Sequence, residues 1–281
     1  MTYLPGGGTI NDRFCYGDGS DGAVTYNGGG TTTLSDDVHA TTLTVTNNTN
    51  LQVNGFRIFA QTSVTVDSGS SIHSNGSDAS GWFRGAGAIS SGPLISATNG
   101  GNGFNSAPPV NGGSRDPSLG GSGGDGGNGY GSGTNNGASG GTATAPVVAQ
   151  GSVRAGLQAL NSWMISRGTV EALRPGCGGG GGNANGDEPS GALGGGGGGG
   201  GGYLIIAAKT LTNNGTISAN GGNGGNASNG GGGGGGGGGV VVTIAETRSG
   251  SAPTASAGSG GSGAGGGDNG DAGSAGTVIQ I

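Results

Sequence analysis

The chain has 281 residues, of which 79 are Gly, while charged residues make up 9% and aromatic residues 4%. That composition excludes an ordinary globular enzyme as the default. With a net charge of −6, a pI near 4.6 and its few Lys and Arg scattered singly, the chain has no basic patch to displace phosphate counterions, so no nucleic-acid partner is expected.

The opening residues MTYLPGGGTINDRF lack a basic stretch followed by an apolar one, and no segment approaches the roughly 18 apolar residues of a membrane span. Neither a cleaved export signal nor membrane insertion is expected. GDGSDG at 17–22 offers Asp18 and Asp21 as oxygen ligands, but it lacks the alternating Asp spacing and distal Glu of a calcium loop. It reads as a turn with solvated carboxylates.

From 31 to 75 the pattern becomes one of short alternating strands. Leu43 with Val45, Leu51 with Val53 and Val64 with Val66 each place apolar groups on one face, with polar residues between them. Asn-Gly at 54–55 and 75–76 and Ser-Gly at 68–69 supply turns. The spacing suits the rungs of a short β-solenoid, favoured here, or a β-sandwich. LTNNGTISANGGNGG at 211–225 echoes VTVDSGSSIHSNGSD at 64–78 as an imperfect repeat. Phe56 and Phe59 are expected in the core.

Residues 100–141 are rich in Gly, Ser and Asn and nearly free of apolar side chains. One short helix is then predicted near 152–167, where Val153, Leu157, Leu160 and Met164 recur at helical spacing between a capping Ser152 and a terminating Gly168. Cys15 and Cys177 form no CxxC and are too few for a disulfide framework, so two reduced, buried thiols are expected, with one long-range bridge between them as the alternative.

Glycine blocks at 178–182, 194–202 and 230–239 abut the strand-like segments YLIIAAKTL, VVVTIA and TVIQI, directly or through further Gly-rich sequence. Left as coil, such runs would carry the largest backbone entropy of any residue. Extended as left-handed polyglycine-II rods rising about 3.1 Å per residue, they have no internal hydrogen bonds, and every N–H and C=O must find a partner outside. Rods packed side by side can supply those partners. The expectation is an all-β chain: β-solenoid or β-sandwich strands in 1–99, then a bundle of polyglycine-II rods with strands and the helical insert in 100–281, the mixed Gly/Ser stretches near 120–141 and 258–276 included.

His39 and His73 are the only histidines, and neither lies near a Cys or in an HxxxH pattern, so no metal, cofactor or catalytic base is expected. Asp36 and Asp37 would point to opposite faces of a strand, and Asp67 and Asp78 could stack on successive rungs, as could many random pairs. The function expected is therefore recognition rather than catalysis. Trp82, Phe83 and Arg84, with Phe104 and Tyr130 set in Gly-rich loops, are the candidate contacts for sugar or protein, because aromatic and Arg side chains supply most binding hot spots. Trp82 also suits a cap on the solenoid end.

Residues 14–76 carry GDGSDG, TTTL and LTV followed by NGFRIF, and in these they resemble a group of glycine-rich proteins encoded by tailed bacteriophages. The glycine blocks are similar in style to phage tail-fibre tip adhesins, whose polyglycine rods carry host-recognition loops. The helical insert and Cys177 beside a glycine run are not features of that group. The resemblance implies a virion structural protein, tail-associated or otherwise exposed, assembled in the host cytoplasm and then displayed outside. Its implied partners are other virion proteins and a bacterial surface glycan or protein receptor. Exposed solenoid edges imply a homo-oligomer, for such spikes most often a trimer. A capsid decoration or head-fibre protein is the alternative within this class; an ice-binding protein and a carbohydrate-degrading tailspike are the rivals outside it.

Overall fold

The computed structural model describes residues 15–88, 91–104, 110–114, 120–130, 136–142, 175–184 and 193–281. The helix predicted near 152–167 lies outside the described residues. Within them the chain is all-β, and its named strands pair in parallel. They are β1 (Gly22–Tyr26), β2 (Gly30–Thr33), β3 (Val38–Val45), β4 (Thr49–Gln52), β5 (Ile58–Val66), β6 (Ser71–His73), β7 (Tyr203–Asn213), β8 (Thr216–Ser218), β9 (Val240–Ile244), β10 (Thr247–Gly250) and β11 (Thr277–Gln280).

Two parallel sheets share these strands in alternation. One runs β1-β3-β5-β7-β9-β11, with β10 joining β7 below β9; the other runs β2-β4-β6-β8. The alternation expected from sequence is what buries one face of each. Leu43, Val45, Leu51, Val53, Val64 and Val66 are fully buried, together with Ile58, Ile72, Leu204 and Ile206. Each such side chain contributes about 1.5–3 kcal/mol relative to an exposed position. The echoing segments 64–78 and 211–225 stack on one another: Val64 registers with Leu211, Ile72 with Ile217, and Asn220 donates its N–H to the Asn75 side chain at 2.7 Å.

Asn54-Gly55 and Ser68-Gly69 are turns, with positive φ at Asn54, Gly55 and Gly69. Asn75-Gly76 is not one. Gly76 donates to the Asn220 carbonyl at 2.9 Å, and the chain continues straight into the glycine region because the Asn75 side chain is used as an acceptor. Phe59 also departs from expectation. It lies between Ile58 and Ala60, both fully buried, so alternation turns its ring to the outer face, where it stacks on His39 with centroids 5.1 Å apart. Phe56 packs against the core. Neither thiol is in a disulfide, and Cys177 is buried as expected, its thiol donating to the Thr142 carbonyl at 3.1 Å, but Cys15 is exposed; it precedes the edge strand β1, and its neighbour Tyr16 takes the buried place.

The glycine segments carry their own hydrogen-bond order. In 194–202 every N–H donates to another segment at 2.6–3.1 Å, and the partner changes with a period of three. Gly194, Gly197 and Gly200 donate to Phe104, Gly101 and Thr98; Gly195, Gly198 and Gly201 donate to Gly231, Gly234 and Gly237; Gly196, Gly199 and Gly202 donate to Gly81, Ser77 and Ser74. Its carbonyls accept from three further segments, at 176–182, 222–225 and 85–88. The segments 231–239 and 176–182 repeat this scheme, each bonded to neighbours on all sides. Only Gly fits such an approach: a Cβ on Gly198 would lie 2.0 Å from the Gly222 carbonyl oxygen.

At the periphery of the described segments, Asn and Asp side chains at every third position take over as acceptors. Asn220, Asn223 and Asn226 accept from the N–H groups of Ser256, Ser259 and Ser262 at 2.8–2.9 Å. Asp125 and Asn128 do the same for Gly140 and Gly137. The region is thus held by polar satisfaction of the backbone, with little apolar burial of its own.

Candidate attachment surface

The glycine run 194–202 enters β7 at its C-terminal end, and 230–239 likewise enters β9. The opposite ends of these runs are therefore the end of the described glycine region farthest from the strands. The five candidate contact residues lie there. Phe104 donates to the Gly182 carbonyl at 3.0 Å and accepts from Gly194, the first residue of its run, at 3.1 Å. Trp82 accepts from Gly103 at 2.9 Å, and the Arg84 N–H donates to the Asn102 side chain at 3.3 Å.

A tight reversal explains why Trp82 and Phe83 stand out. Ser80 and Phe83 exchange backbone bonds at 3.0 and 3.1 Å around Gly81, whose φ of +56° makes the turn. The two rings at its tip stack with centroids 3.9 Å apart and planes 29° from parallel, leaving Phe83 57% exposed. Such a pair presents a preformed aromatic surface, with part of its ordering entropy already spent within the protein. Trp82 and Phe104 are half-buried, and Arg84 is exposed.

Tyr130 is the most exposed large hydrophobic side chain among the described residues, at 68%, and its ring lies against the turn containing Gly266. It stands apart from the others. The segment 120–128 that leads to it bonds to 176–182, which in turn bonds to 98–104. The structure therefore groups Trp82, Phe83, Arg84 and Phe104 on adjacent segments and places Tyr130 at the same end on a different side. Val110 was missed from the sequence, where only aromatic and Arg residues were weighed. It is 49% exposed and joins the first group through bonds to Asn102 and Gly181. Its signal was an isolated branched residue after Pro108-Pro109 in a stretch nearly free of apolar side chains.

No protein-family model, curated protein or solved structure matches the chain. What the arrangement can do follows from its geometry alone. Among the described residues, no group of three or more His, Cys, Asp or Glu is placed to hold a metal ion, and no helix is long and apolar enough to cross a membrane. The Asp78 carboxylate accepts from the Asn223 N–H at 2.6 Å and so serves the backbone order described above. Among the described residues the distal end offers aromatic faces, the Arg84 cation and a branched apolar side chain on a firmly bonded base, which is the chemistry of contact with a sugar ring or a protein surface.

Proposed function

We propose that this chain is a non-enzymatic structural protein of a tailed-bacteriophage particle. In this reading its strands form a short parallel β-solenoid, its glycine segments form a bundle of polyglycine-II rods, and the distal rod ends display loops for attachment to a bacterial surface. The observation that carries the reading is the period-three bonding of 194–202, 231–239 and 176–182 to neighbours on all sides, in segments that end where Trp82, Phe83, Arg84 and Phe104 are displayed. A three-residue period with every N–H and C=O directed outward is what a three-fold helix of glycine requires. The solenoid is supported by strands that alternate between two sheets and pair in parallel, with Thr31, Asn50 and Ser71 in one register row.

Rigidity is the functional point. A platform whose backbone is saturated with hydrogen bonds holds its terminal loops in place, so binding to a surface glycan or protein receptor costs little ordering entropy. The resemblance of residues 14–76 to phage glycine-rich proteins supplies the particle, and β1 and β11, which end the strand order among the described residues, supply the reason for other virion proteins or further copies, as in a trimer, to pack beside it. Two experiments test the reading. Labelled protein should decorate susceptible bacteria, and the double variant W82A/F83A should lose that decoration while keeping its thermal midpoint; antibody should label the outside of purified particles. Protein that binds no bacterium and labels no particle would overturn the assignment.

A further inference from the structure

The lower half of the larger sheet, beyond the register shifts in β3 and β5, consists of β1, β3, β5, β7 and β10. Its registers align two rows of side chains across the strands. One row is Ala23, Thr42, Ser63, Thr210 and Thr247; the other, two residues further along each strand, is Thr25, Thr44, Thr65, Thr212 and Ser249. Every position but Ala23 carries a hydroxyl, and none is ionisable. Between the rows lie Leu43, Val64 and Leu211, all buried, so alternation directs the hydroxyls to the opposite, solvent side. Arg248, at the same level on β10, is held at the edge by bonds to the carbonyls of Thr243 and Ile281.

We propose that this double row is an ice-binding face. Parallel strands repeat every ~4.8 Å, and residues two apart on a strand repeat every ~6.7 Å. The hydroxyls therefore form a two-dimensional net whose spacings lie near the oxygen repeats of ice planes. Seven of the positions are Thr, whose β-branch restricts χ1 and fixes hydroxyl and methyl together. One cross-strand contact shows the register at the level of the hydroxyls: Ser249 Oγ donates to Thr212 Oγ1 at 3.2 Å. Each water bridged by such a group loses entropy on being immobilised. A net of uncharged hydroxyls therefore favours a partner in which the water is already fixed in a lattice.

Two further features favour a lattice over a dissolved ligand. The ten positions include no aromatic ring on which a sugar could stack and no charge to recognise an ion or a protein surface. In addition, β7 emerges directly from the glycine run 194–202, whose bonds to parallel and antiparallel neighbours along its length demand near-parallel axes. Such a root restrains the twist that would otherwise rotate successive strands by about 20–25° and spoil the spacing of the net. The surface lies on the strand half of the molecule, so the proposal is independent of the distal attachment surface and neither stands nor falls with it.

The test is growth of a single ice crystal in a solution of the full chain. Faceted crystals, a gap between melting and freezing points and enrichment of the protein in a slowly frozen ice hemisphere are expected. The double variant T44Y/T65Y, at direct register neighbours, should abolish all three effects, and W82A/F83A should leave them unchanged. Where that Tyr pair fails to fold, T44K/T65K serves as the Lys pair, since Lys is tolerated on a solvent-facing strand position. A wild-type protein that neither shapes ice nor partitions into it beyond a globular control overturns the proposal. So does full activity in a folded Tyr or Lys pair. Retention on crystalline chitin or cellulose without any effect on ice would overturn it in favour of a polysaccharide face, and a dimer dissociated by the Lys pair, again without effect on ice, in favour of a contact between copies.

Discussion

His73 shows how burial at a single position sets a pH dependence. It lies on β6, its Nδ1 is buried without a hydrogen-bond partner among the described residues, and burial holds its pKa below the ordinary 6.5. The folded chain therefore resists a proton that the unfolded chain accepts. Its contribution is present in full above pH 6.5 and is lost as pH falls from there through the depressed folded value. The thermal midpoint should decline over that window, and His73→Gln should flatten the decline. Asp37 acts in a lower window. Burial alone would raise its carboxyl, but hydrogen bonds and charge from Arg57 outweigh that and hold it below 3.8, so this stability is lost only as pH falls beneath that value. Because Arg57 is 39% exposed, the ion pair itself contributes little. The larger loss in Asp37→Ala is the acceptor for the Arg57 N–H, bonded at 2.7 Å, and urea titration should register about 1–3 kcal/mol. None of this was legible in the sequence, where neither the depth of His73 nor the partner of Asp37 could be read.

The glycine segments give predictions at the scale of the element. Gly198→Ala would press a methyl group against the Gly222 carbonyl, and Gly235→Ala would meet that of Gly258 at 2.1 Å. Backbone cannot yield there as a side chain can, so each change should cost about 3 kcal/mol or more by chemical denaturation. Gly28→Ala is the control. Nothing lies within 4 Å of its position and its φ is not positive, so it should be neutral or slightly stabilising. Amide exchange provides an independent measure: the N–H groups of 194–202 should exchange as slowly as those of β7, although they belong to no strand. Asn223→Ala, which strips acceptors from the Ser259 N–H and hydroxyl, should speed exchange locally with a cost near ~1 kcal/mol. The strand half was largely readable, because Leu43, Val45, Val64 and Val66 alternate plainly. β10 was not: Thr247–Gly250 has no apolar alternation, is exposed throughout, and exists because β7 extends beyond β9 and leaves an edge to pair.

At the scale of the whole molecule, the bonds interleave early and late parts of the chain. β5 pairs with β7, and Gly196, Gly199 and Gly202 donate to Gly81, Ser77 and Ser74. Strand signal and glycine amide protection should therefore disappear in one transition in denaturant; a glycine region that melts first would show that the two halves fold as separate units. Composition by itself determined that the glycine region could bury no apolar core, and period two determined which residues of the early strands point inward. It also supplied the aromatic candidates for the distal end, though not their grouping. Only the tertiary structure decided which segment accepts from each glycine, that Asn at every third position closes the periphery, and that Thr from five distant stretches falls into two rows. The physical reason is that a strand's inward face is set by local alternation, whereas an outward-directed N–H or hydroxyl acquires its meaning from whichever chain lies beside it.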